Sequence, residues 1–297
     1  MAAVILLVAF MSADPAWSDF NERNHLAKER ALVLLAREDT QSAIDLITGG
    51  YPAADAMKIF ILVSRDLYWQ RKNLSAALVM GRAGLQYGLN EARHLRPQNQ
   101  ALAYELSSQA KVLAYDLSSF CWPGWQEPGI NIPAVYLVDG QDLAHINLRL
   151  AQQLHKGDLP MSRAWWLLGA HHLAVGQYER ARRAFVEGIK YATAAQLRET
   201  ELQLRGYLYL ADMLKDPDNE RLQLEFNFIL RELQNSAQGS FFSQQLITAR
   251  TVFTQPALAD SPELINSPEP IDSLEPENSP EPIHSLEKTN SEQNKHE

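Results

Sequence analysis

Between residues 24 and 253 apolar side chains recur at helical spacing in one stretch after another, and a short turn signal cuts off each stretch. This punctuation constrains the fold more than any single motif. Helices of ~15 residues with one apolar face cannot bury that face alone, so tight turns force each one against its sequence neighbours. The stretches are 24–37, 55–70, 74–88, 98–118, 133–154 (strongest from 142), 162–175, 178–192, 195–214, 217–234 and 241–253. A further short helix carries Ala43, Ile44 and Ile47 behind an Asp39-Thr40 cap, and Gly49-Gly50-Tyr51-Pro52 breaks it. Lys72-Asn73 and Arg96-Pro97 are turn or stop signals, and Asp216-Pro217 reads as a helix start with proline in its first turn. Leu and Ala dominate and β-branched runs are scarce, so the expected class is all-α.

Charge and cysteine usage exclude several functions. Ten acidic residues against Lys288 and Lys295 place nearly all of the net charge of −9 beyond Pro256, leaving the rest of the chain close to neutral. A body without a basic patch is not expected to bind nucleic acid, since phosphate contacts need clustered Lys and Arg. Cys121 is the single cysteine, which rules out an internal disulfide and multi-cysteine metal sites.

The two ends read differently from the body. Residues 2–11 form an apolar run too short to span a bilayer but of the length of a secretory signal core, with Ser12-Ala13 at the cleavage edge. Residues 1–13 are thus read as a signal peptide of an exported protein, although no Lys or Arg precedes the run; the alternative is a cytoplasmic protein. No integral membrane span is expected downstream. Residues 255–297 repeat serine every six residues, at Ser261, Ser267, Ser273, Ser279, Ser285 and Ser291, in a unit close to Ser-Pro-Glu-Pro-Ile. Frequent proline and high charge there predict a disordered acidic tail.

The pair 163–192 resembles a tetratricopeptide repeat. It carries Trp165, Leu168 and Gly169, His172 where that family has tyrosine, the turn Gly176-Gln177-Tyr178, then Ala181 and Phe185; Thr193 stands where the family closes with proline. Degenerate copies follow the same register: Tyr68, Ala77 and Leu85, with Ala43 placed 34 residues before Ala77. The resemblance implies five antiparallel helix pairs over residues 19–254 and a capping helix, stacked as a right-handed superhelix. The third pair is enlarged by a loop at 119–133. It also implies a protein or peptide partner in the concave groove lined by the first helix of each pair. Carried over residue by residue, Leu62, Asp66 and Trp69 line the groove in the second unit, and Arg163, Trp166 and Leu173 in the fourth. The Lys and Asn positions with which one family subgroup clamps C-terminal carboxylates hold Leu62, Asp66, Trp166 and Ala170, so that activity is not implied.

No catalytic or metal motif stands out, and neither catalysis nor a cofactor is expected. His171 and His172 are adjacent, so their rings diverge by about 100° on a helix and do not chelate one metal. Gly81 and Gly84 lie inside a helix and read as close helix contact. The alternative to a scaffold is a small-ligand protein or enzyme with a pocket beside the 122–129 loop, where Trp122, Trp125 and Glu127 would supply the lining.

Overall fold

The computed structural model describes residues 22–236 and 239–254; the signal-peptide and acidic-tail readings fall outside these residues. Within them the chain is all-helical, with no strand. The helices are α1 (Glu22–Leu35), α2 (Thr40–Gly50), α3 (Ala53–Trp69), α4 (Leu74–Leu95), α5 (Gln100–Phe120), α6 (Ala134–Gln153), α7 (Asp158–Ala174), α8 (Tyr178–Ala194), α9 (Arg198–Lys215), α10 (Glu220–Gln234) and α11 (Gly239–Thr254). One 3-10 turn, Pro123–Trp125, lies between α5 and α6.

Side-chain caps set several helix starts. Asp39 accepts from the Ser42 amide at 3.1 Å, Asn73 from Ala76 at 3.0 Å and Asn99 from Leu102 at 3.0 Å, each satisfying a donor the helix leaves open. The expected start at Pro217 is displaced to Glu220, because Asn219 caps the Leu222 amide at 3.4 Å while Asp216 accepts from the Asn219 side chain at 2.9 Å. Turn residues adopt the left-handed conformation at Glu38, Lys72, His155, Gln196 and Gly176. Glu38 and Lys72 are 34 residues apart, the same interval as Ala43 and Ala77.

Neighbouring helices pack in sequence order, from α1 against α2 to α10 against α11. The odd-numbered helices also touch their next-but-one neighbours, in the series α1, α3, α5, α7, α9, α11. Small residues permit the close approaches. A side chain on Gly169 of α7 would come within 2.5 Å of the Phe185 ring of α8, and one on Gly84 within 2.6 Å of the Phe60 ring of α3. Gly81 of the same helix has no room beside Leu117 of α5. The glycine pair in α4 is therefore shared between its two neighbours.

The apolar interior falls into two clusters. One is built from α1 to α5, around Phe60, Tyr68 and Phe120, with Leu143 and Leu150 of α6 joining it. The other is built from Trp122 and helices α6 to α11, around Phe185, Tyr207, Phe226 and Phe242. Among the described residues no helix is long and apolar enough to cross a membrane.

Candidate functional site

The loop expected at 119–133 begins only at Cys121, because α5 runs on to Phe120; it is the least regular described segment of the chain, and it is built into the body by its two tryptophans. After α5 ends at Phe120, Trp122 turns extended, Pro123–Trp125 makes one 3-10 turn and Gln126 adopts a left-handed conformation. The Trp122 side chain is fully buried, and its indole N–H donates to the Ala170 carbonyl of α7 at 3.0 Å. Trp125 is half-buried and donates back to the Ser119 carbonyl at 2.9 Å. Glu127 forms an ion pair with Lys72 in the turn between α3 and α4.

Trp166 meets both loop tryptophans. Its ring centroid lies 5.6 Å from that of Trp122, 5.8 Å from that of Trp125 and 5.8 Å from that of Tyr207. Phe253 of α11 closes the group, 6.0 Å from Trp122, and α11 as a whole packs on the 3-10 turn. Residues expected in two places, groove and loop, thus share one aromatic cluster. Trp166 and Leu173 are only 4% and 2% exposed, because the loop and neighbouring helices cover this part of α7. Tyr207 and Phe253 belong to the cluster without having been singled out from the sequence, where each is an ordinary core aromatic.

The other groove candidates lie elsewhere. Trp69 is 8% exposed, packed edge-on against Tyr68 at 4.6 Å and Phe120 at 6.0 Å. Asp66 is half-buried and bridges elements, accepting from Lys28 of α1 at 3.2 Å and from Arg71 at 3.0 Å. Leu62, one turn earlier on α3, is also half-buried. Arg163 is half-buried beside Tyr115, and burial lowers its pKa from the usual guanidinium value. One ionic contact escaped the sequence reading: Arg65 of α3 donates to the buried Asp116 of α5 at 2.7 Å. Burial pushes the Asp116 carboxyl upward, against the pull of Arg65 and Lys111. A lone aspartate in a helix reads as a solvated face, so nothing in the sequence marked it.

Cys121 and His171, both fully buried, crowd Gly140 of α6. Burial pushes the thiol up to about 12 and the imidazole down to about 4, so at neutral pH the first keeps its proton and the second lacks a charge. Among the described residues no cluster of three or more His, Cys, Asp or Glu is placed to hold a metal ion. Set against protein-family models and against curated proteins, the chain matches none.

Proposed function

We propose that this chain is a protein-recognition scaffold of tetratricopeptide type, with no chemistry of its own, that holds a protein or peptide partner on the face formed by the first helix of each pair. The observation that carries this reading is the contact of each odd-numbered helix with the next odd-numbered helix, in addition to its chain neighbours. A row of such helices is the arrangement from which stacked helix pairs build one continuous recognition face. The fit of Gly169 against Phe185, at the family's small and large positions, supports the same reading. Because Trp166 and Leu173 are buried, the docking surface lies toward α1 and α3, where Leu62 and Asp66 remain partly accessible.

Affinity capture with the full-length chain tests this. Leu62→Glu is expected to lose a partner that Leu224→Glu, a change at a 68% exposed position on α10, retains. Retention by both variants would remove α3 from the recognition surface. We further propose export, on the strength of the apolar run at residues 2–11. Mass spectrometry of the mature chain is then expected to find it starting near Ala13, and an intact Met1 would contradict export.

A further inference from the structure

We propose that the seam between α6 and α7 is an acid-sensitive latch: uptake of protons by the histidines gathered there separates the two helices. The latch is built around two rings on α7. The Ser118 hydroxyl of α5 donates to the Gly140 carbonyl of α6 at 2.7 Å. Its hydrogen is therefore committed, so the nearby His171 Nε2, 2.9 Å from Ser118 Oγ and 3.0 Å from its carbonyl, carries a hydrogen and donates. His171 Nδ1 is then a bare acceptor, fully buried, with no hydrogen-bond partner. It faces the backbone of Gly140, where only a glycine fits. A proton on Nδ1 would create a charged donor with nothing to accept from it, so this ring can be protonated only if α6 moves away.

His172 sits in the same seam, 6% exposed, its Nδ1 held between the Gln177 and Gln141 side chains at 2.8 and 3.0 Å. Its ring lies 6.0 Å from that of His145 on α6. The groups facing these rings are mostly cationic or neutral. From α8 come Arg180 and Arg183, which act on His172. From α5 comes Ser118, and from the residue that follows the helix the thiol of Cys121, neutral at ordinary pH. From α6 come His145 and two carboxylates; Asp142 acts on His145, and Asp139 is paired with Arg82 at 2.5 Å. Protonating His145, His171 and His172 would thus bring three new positive charges beside two arginines.

Burial holds His171 and His172 each down to about 4, against an ordinary value of 6.5, and partial desolvation lowers His145, at the exposed edge of the seam, as well. A histidine whose pKa is lower in the closed state favours opening once protonated. The latch is therefore at full strength above the unfolded value. It weakens as pH falls from there toward the closed-state value. Over that window proton uptake by the two buried rings shifts the balance toward the open state. The seam lies where the first apolar cluster gives way to the second.

Hydrogen–deuterium exchange of the full chain at pH 7 and about pH 4.5, corrected for the intrinsic rate, tests the latch. Acid is expected to speed exchange in α6 and α7 by ~10-fold or more beyond its effect on α3. His172→Gln, which keeps a polar group between the two glutamines, is expected to reduce that excess. His145→Gln, at an exposed position, is expected to move the opening to lower pH even if His172→Gln folds poorly. Acid exchange spread evenly over all helices, or an unchanged opening in His145→Gln, would overturn the proposal.

Discussion

Single residues show where this chain depends on tertiary contact and where it depends on backbone conformation. Trp122 is fully buried among rings from α7, α9 and α11 and bonded to the Ala170 carbonyl. Trp122→Ala is expected to destabilise the fold by ~3–5 kcal/mol in equilibrium denaturation, since the cavity cannot collapse around so large a loss. Trp122→Phe is expected to do less damage, losing mainly the bond to Ala170. Gln196 illustrates the opposite case. It is exposed and held at a positive φ of 56°. Gln196→Gly is expected to raise stability by up to ~1 kcal/mol, because glycine adopts that conformation without the steric clash. A fall in stability would mean that the Gln196 side chain makes a contact worth more than the clash. The unusual composition of the 119–133 loop was evident in the sequence, but the partners of its tryptophans were not. Tyr207 and Phe253 lie far along the chain, and helical periodicity says which way a residue points, not what will cover it.

At the scale of elements, glycine has two different meanings in helices of similar appearance. Gly84 faces the Phe60 ring of α3, whereas a side chain on Gly49 of α2 would meet nothing within 4 Å. Gly84→Ala is expected to destabilise by ~1–3 kcal/mol through overpacking. Gly49→Ala is expected to stabilise by up to ~1 kcal/mol through helix propensity. Thermal unfolding of the two variants checks both signs. The glycine spacing in α4 made close contact legible in the sequence, and the turn chemistry placed most helix ends. The start of α10 was misplaced because Pro217 and Asn219 offer rival signals, and the asparagine cap satisfies a backbone donor that proline only removes. The bond between Arg65 and Asp116 joins α3 to α5 in a buried setting. Arg65→Met is expected to lower stability by ~3–5 kcal/mol, because it strands a buried carboxylate. A loss below 1 kcal/mol in denaturant titration would show that Asp116 is neutral in the folded chain.

For the whole molecule, the all-helical class followed from period and punctuation alone, because the apolar stretches between residues 24 and 253, the loop after α5 apart, repeat at helical spacing. The order of packing was also legible, since short turns leave a helix little choice of neighbour. What the sequence did not reveal is that α11 returns to the 3-10 turn, so that part of the odd-helix face is covered by the chain itself. That covering shifts the proposed recognition surface away from Trp166 and toward Leu62 and Asp66. The most direct test is hydrogen–deuterium exchange on the full chain with and without its captured partner. The scaffold reading predicts new protection concentrated in α1 and α3. Protection confined to the exposed Leu224 and Phe228 face of α10, or to the 119–133 loop, would contradict it.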